Sequence, residues 1–246
     1  MNSPRVSLLL TAARIATFEH QRPLTNASGF FFRRDERLFL ATSRHVLIDA
    51  ANEHRPNRIE IEVHASRRDL SQSVRVSVLI YADGKSVWRQ GKDAFGEVDM
   101  AVVELDQSVL PADSAIEAFT PAHLQQSLDD VEVGTSVLIV GFPLGFHDTV
   151  HHLPVVRQAV IASAFGVRFQ GLGYFLTDGR THRGTSGAPV VMRDPAATAA
   201  GDVLPWKLLG VHSARLDMAD RDVGQDESLG LNCAWYADML MTLTCA

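Results

Sequence analysis

The sequence predicts an all-β fold, and three observations carry that prediction. Short runs of β-branched and aromatic residues recur along the chain, several of them alternating strictly between apolar and polar positions. Turn-forming residues bound these runs, and the runs fall into two sets separated by a polar stretch. A period of two turns one strand face to a core and the other to solvent. At 246 residues, with 46% hydrophobic and 21% charged residues, the chain carries enough apolar surface for one or two compact β-domains.

The first set reads as strands at residues 29–32, 38–41, 59–63 and 74–81, with a further buried strand opening near Asp99. The second set follows at residues 136–140, 155–162, 174–177, 188–192 and 207–211. Between them, residues 111–133 carry Pro111, Pro121 and an acidic, polar composition suited to a linker joining two barrels. A boundary near residue 120 divides the chain into an N-terminal unit, 1–120, and a C-terminal unit, 121–246. In residues 234–243, Trp235, Met239 and Leu240 or Leu243 stand at helical spacing and predict a terminal helix on the second barrel. Residues 193–205 and 215–228 read as exposed insertions or as solvated faces.

A formal charge of −6 denies the chain the positive field that phosphate backbones require, so no nucleic-acid partner is expected. Cys233 and Cys245 form no disulfide framework, which favours a reducing compartment and a cytoplasmic, bacterial-type intracellular protein. Arg14 ends the apolar run 6–13 after eight residues, too short to span a bilayer, so no membrane partner is expected. A cleaved export signal is the alternative reading of that run. Oligomeric state is left open.

Chemistry concentrates in Arg183-Gly184-Thr185-Ser186-Gly187-Ala188-Pro189-Val190. A serine between glycines sits on a tight turn whose backbone N–H groups, those of Gly184 and Ser186, point at one spot and suit a developing oxyanion. A serine hydroxyl is a weak nucleophile at neutral pH and needs a base, itself held by a third group. His45 follows the apolar run 38–41, and Asp99 opens the apolar run 100–103, with Glu97 and Asp93 as alternatives to Asp99. Each also has a structural reading: a capping Asp99, a core His45, a merely structural turn.

With these motifs in view, the chain resembles the trypsin/chymotrypsin-like serine peptidases, particularly their disulfide-free bacterial and viral members. The order His, Asp, Ser is that family's order. Asn26-Ala27-Ser28-Gly29-Phe30 is similar to its Gly-Ser-Gly-Phe strand, Val140-Gly141-Phe142-Pro143-Leu144-Gly145 to the opening of its second barrel, and Leu209-Gly210-Val211-His212-Ser213-Ala214 to its substrate-binding strand. The resemblance implies two six-stranded antiparallel β-barrels of the chymotrypsin type with a C-terminal helix. It also implies endopeptidase activity on protein or peptide substrates without a cofactor. By the same resemblance His45, Asp99 and Ser186 form a triad, with the oxyanion hole at Gly184 and Ser186. The alternative is a non-catalytic or latent peptide-binding module.

Thr185 stands where digestive members carry an aspartate, so activation by a newly cut N-terminus is not expected. The resemblance places Arg180, Thr181, His212 and Ser213 at the pocket for the residue before the scissile bond. A histidine and a hydroxyl there imply a preference for Glu, Gln or Asp. The stretch His147, Asp148, His151 and His152 reads as an exposed loop or, alternatively, as a zinc site; the loop is the favoured reading, and no metal is expected.

Overall fold

The structure is a computed structural model that describes residues 6–216 and 229–245. The predicted insertion at 215–228 lies outside the described residues from residue 217 onward.

Ten N-terminal elements follow in chain order: β1 (Ala12–Glu19), β2 (Arg22–Arg34), β3 (Arg37–Thr42), α1 (Arg44–Leu47), β4 (Arg58–His64), β5 (Ser73–Leu79), β6 (Tyr81–Ala82), β7 (Lys85–Ser86), β8 (Trp88–Asp93) and β9 (Gly96–Leu105). β5, β4, β1, β2, β3, β9 and β8 pair in that order as one seven-stranded antiparallel sheet. This sheet differs from the expected six-stranded closed barrel: its edge strands β5 and β8 do not pair with each other. β4 shows the alternation that announced it, with Ile59, Ile61 and Val63 buried and Arg58, Glu60, Glu62 and His64 half-buried on the opposite face. β6 and β7 form a separate hairpin over Asp83-Gly84, both at positive φ as its tight turn requires.

The C-terminal elements are β10 (Ser136–Gly141), β11 (Val155–Ile161), β12 (Tyr174–Asp178), β13 (Pro189–Arg193), α2 (Pro195–Ala200), β14 (Trp206–Arg215), β15 (Leu231–Tyr236) and α3 (Met239–Leu243). Their six strands close into a barrel in the order β10-β11-β12-β15-β14-β13.

The terminal helix is shorter than expected, because Trp235 belongs to β15 rather than to a helix reaching back to 234. β15 is buried through its middle four residues, since Cys233 and Trp235 enter the core shared with the sheet while Ala234 enters the barrel core on the other face. Such a strand has no alternating face, and its pattern matches a helical spacing by coincidence. α3 lies chiefly against β8 and β9 of the seven-stranded sheet, and its Leu240 and Leu243 join the core that the sheet shares with the barrel. There Arg34 Nη1 donates to the Met241 carbonyl at 2.5 Å, and Arg89 Nη1 to that of Leu243 at 3.1 Å.

One core belongs to both layers. Phe30, Phe32, Phe39, Met100 and Val102 from the sheet meet Val140, Phe142, Leu208, Val211 and Trp235 from the barrel. Phe119, in the connecting stretch, joins that core with its ring 5.8 Å from Phe30, and its backbone pairs with Phe31 and Arg33. His45, Asp99 and Ser186 gather along this seam.

Candidate active site

His45 lies in the first turn of α1, immediately after β3 delivers Ser43 to the seam. Asp99 is the fourth residue of β9 and sits beneath it. Asp99 Oδ2 is 2.7 Å from His45 Nδ1, and Asp99 Oδ1 accepts the His45 backbone N–H at 2.8 Å. The Ser213 hydroxyl donates to Oδ2 as well. Neither alternative carboxylate reaches the imidazole: Glu97 pairs with Arg44 at 3.0 Å, and Asp93 pairs with Arg168.

Burial alone would raise the Asp99 pKa, yet the hydrogen bonds and charge of His45 and the Ser213 hydroxyl outweigh it and hold the carboxyl below its ordinary range. Burial likewise would lower the His45 pKa, and the hydrogen bond and charge of Asp99 reverse that and hold it above the ordinary value. With Nδ1 committed to the carboxylate, Nε2 is the nitrogen left to exchange a proton.

Ser186 stands on the turn between β12 and β13, and its backbone is fixed from both layers. Its carbonyl accepts the Ser28 N–H at 2.9 Å, and the next amide, Gly187, donates to the His212 carbonyl at 2.8 Å. Gly187 has φ +86°, and a Cβ there would lie 2.1 Å from the Ser28 carbonyl oxygen, so only glycine fits. Gly184, at φ +89°, is equally confined: a Cβ would lie 2.7 Å from the Phe142 carbonyl oxygen.

Ser28 is the hub of this packing. Completely buried in β2, it donates from Oγ to the Gly184 carbonyl at 2.8 Å and accepts the Phe142 N–H at 2.9 Å. The Arg183 carbonyl in turn accepts the Leu144 N–H at 2.6 Å. Across a trans peptide the N–H points opposite to the C=O, so this bond aims the Gly184 amide away from Leu144. Among the described residues, neither the Gly184 nor the Ser186 amide donates to a protein acceptor. The Ser186 hydroxyl donates to the Ser213 carbonyl at 2.9 Å.

His45, Gly184 and Ser186 line one cleft of about 640 Å³, together with Leu144, Arg183 and residues of β2 and of the segment after α1. The four residues expected at a specificity pocket are not among its lining residues. Arg180 is exposed. Thr181 is buried and donates its hydroxyl to Asn232 Oδ1 at 2.5 Å. Ser213 directs its hydroxyl to Asp99, so that hydroxyl anchors the carboxylate instead of facing a substrate. His212 is buried; burial first, and then the neighbouring His45, push its pKa down to about 4, leaving a neutral imidazole. Thr185 is buried at the aspartate position noted above, and its hydroxyl finds no partner among the described residues.

Sequence reasoning missed the roles of Ser28 and Leu144 as supports of the nucleophile turn. The signal for Ser28 was available: a hydroxyl amid the apolar run of β2 needs buried partners of its own.

Among solved structures, the chain is similar to the HtrA-type protease AlgW with a tripeptide, at 18% identity and a TM-score of 0.57 over 98% of this chain and 62% of that one. It is similar to a serine endoprotease from Yersinia pestis at 16% identity and 0.56, covering 98% and 64%, and to a protease from M. tuberculosis in its active form at 15% identity and 0.53, covering 98% and 82%. The chain thus spans under two thirds of the HtrA-type protease's length, and at these identities the likeness shows the shared fold. No curated protein sequence matches the chain. The trypsin-like peptidase domain matches residues 27–201, and with that span covering most of the seam and its turn, the chain belongs to the trypsin-like peptidase domain family, a family of serine endopeptidases.

Proposed function

We propose that the protein hydrolyses peptide bonds with Ser186 as nucleophile, His45 as general base and Asp99 as the group that orients the base. The observation that carries this reading is the Asp99 carboxylate, which receives both the ring and the backbone N–H of His45 in the cleft that also holds Ser186. Rotation of Ser186 about χ1 takes Oγ from the Ser213 carbonyl to His45 Nε2, which removes the proton as Oγ attacks the peptide carbonyl. The amides of Gly184 and Ser186, which lack protein acceptors, receive the oxyanion. His45 then protonates the departing amine, and water, deprotonated by the same imidazole, hydrolyses the acyl-enzyme.

For the residue before the scissile bond, the reading extends to Glu, Gln or Asp. A neutral His212 supports it, because a neutral imidazole donates one hydrogen bond to a side-chain carbonyl or carboxylate without requiring a full charge. With the Thr181 and Ser213 hydroxyls occupied, that single donor places Gln on a level with Glu. Two unpaired thiols, Cys233 and Cys245, support a reducing compartment. The Ser186 hydroxyl bonded to the Ser213 carbonyl favours, as a second reading, a latent form of the same site.

A fluorophosphonate probe is expected to label the wild-type protein and not Ser186→Ala; folded wild type that stays unlabelled would establish the latent form. A peptide library is expected to be cut after Gln, Glu or Asp, and dominant cleavage after Lys, Arg or large aromatics refutes the role given to His212.

A further inference from the structure

The loop between β10 and β11 carries a side-chain cluster that the peptidase reading does not use. Of the four residues weighed there for metal binding, two leave the cluster: His151 Nδ1 and Asp148 Oδ2 pair with each other at 2.9 Å. The other two, His147 and His152, are joined by Glu62, which β4 supplies from the seven-stranded sheet. One ligand atom from each of the three lies within 4.8 Å of the others.

We propose that Glu62, His147 and His152 bind a divalent transition-metal ion, zinc being the best chemical match, and that the ion ties the β10–β11 loop to β4. Two imidazoles and a carboxylate form an N/O donor set that suits zinc and not the all-oxygen preference of calcium or magnesium. Three protein ligands leave one tetrahedral position for water.

The individual geometries support this donor set. His152 Nδ1 lies 3.1 Å from Glu62 Oε1, yet it is buried and makes no hydrogen bond among the described residues. A buried ring nitrogen that close to a carboxylate oxygen and without a hydrogen bond has a lone pair that an ion held by both would accept. His147 Nδ1 lies 2.7 Å from the Gly145 carbonyl, which fixes the proton on Nδ1 and leaves Nε2 with its lone pair. Donation of the second ring N–H to a backbone carbonyl is the usual support of a metal-bound histidine. Glu62 Oε1 accepts from Ser73 Oγ at 3.1 Å, and Oε2 faces Arg14 Nε at 3.6 Å, so the carboxylate is oriented and only partly neutralised. Ligands at 2.0–2.1 Å from a tetrahedral ion stand about 3.3 Å apart, so modest side-chain rotation closes the site.

The loop already docks beside this point, where His64 Nε2 meets the His151 carbonyl at 2.7 Å. Its first residues include Leu144, whose N–H holds the Arg183 carbonyl. An ion at Glu62, His147 and His152 therefore immobilises the segment that supports the turn carrying Ser186.

The test uses tag-free, chelator-stripped protein titrated with Zn²⁺ in a calorimeter. Wild type is expected to bind one equivalent, and His147→Ala, His152→Ala and Glu62→Gln each to weaken binding by about 100-fold, at or above the loss typical for outer-shell partners. His151→Ala is expected to bind as wild type. Co²⁺ in place of Zn²⁺ is expected to give the intense visible bands of tetrahedral coordination. Saturable binding that is absent from folded wild type, or that survives His147→Ala/His152→Ala undiminished, overturns the proposal. Glu62→Gln keeps the assignment testable if a histidine variant fails to fold, and none of these readouts depends on peptidase activity.

Discussion

Replacing Ser28 by alanine removes one oxygen and breaks two hydrogen bonds at once. The Phe142 N–H loses its acceptor and the Gly184 carbonyl loses a donor, in a place where Ser28 is fully buried and water cannot substitute. Leaving a buried polar group unpaired costs about 1–3 kcal/mol, so two such groups amount to about 3 kcal/mol at the lower-middle of that range. A domain with about 5–15 kcal/mol of stability survives that loss and remains folded. The chemical effect is separate from the loss of stability. Gly184 supplies one of the two amides assigned to the oxyanion, and losing such a donor outright costs about 10²–10³ in rate; a loosened one is expected to cost about 10-fold. Denaturant unfolding reads the first effect, and the second-order rate of fluorophosphonate labelling, measured well below the unfolding transition, reads the second. A variant within about 0.5 kcal/mol of wild type, labelled at the wild-type rate, would refute the assignment of Ser28 as the support of this turn.

Three further outcomes are expected. Asp99→Asn keeps the shape but removes the acceptor that fixes the His45 tautomer, so kcat/KM for a peptide substrate should fall by about 10⁴-fold with the fold intact by circular dichroism. The raised pKa of His45 places the acidic limb of the kcat/KM profile above the ordinary histidine value of 6.5, because the base form is lost as pH falls through it; a midpoint at or below 6.5 contradicts the geometry. In stability the same raised pKa contributes fully below 6.5 and is lost as pH rises, whereas His212 acts in the opposite direction. With its pKa down to about 4, His212 resists protonation in the fold, so stability should decline between pH 6.5 and 4 by about 3 kcal/mol; His212→Gln should flatten that slope in urea titrations, and an unchanged slope excludes His212 as its source.

Strand grammar was legible where one face meets water. Residues 59–63 alternate strictly and became β4, and residues 136–140 became part of β10, whereas 174–177, buried throughout in β12, were legible from their aromatic and β-branched composition alone. It failed at β15, whose two faces enter two different cores, so that it carries no alternation and its spacing matches a helix. β1 was hidden for another reason: its apolar start at Ala12 and Ala13 continues the buried Leu8 and Leu10, so the run reads as one apolar segment and not as the start of a strand. His45, Asp99 and Ser186 stand out in the sequence because the chemistry proposed for them restricts residue type, and the glycines at 184 and 187 because positive φ does. Partnerships across the seam could not. Nothing in a linear reading brings Ser28 to Gly184, 156 positions away, or Glu62 to His152. The bond from Ser213 to Asp99 was out of reach for the same reason: a strand pattern fixes which face a residue occupies but not which carboxylate it meets there.

The hydroxyl of Ser186 rests on the carbonyl of Ser213, and under the proposed mechanism this parking place makes the reactivity of the site depend on substrate length. A hydrogen bond of about 0.5–1.5 kcal/mol keeps the attacking rotamer about 2- to 13-fold rarer than the parked one. An extended peptide whose backbone N–H claims the Ser213 carbonyl evicts the hydroxyl and releases it toward His45. A small ester has no such group and must wait for the rarer rotamer. If Ser186 and His45 act as proposed, assays built on minimal chromogenic substrates will sample the site at its slowest, and lengthening the peptide should raise turnover even where the added residues touch no specificity pocket.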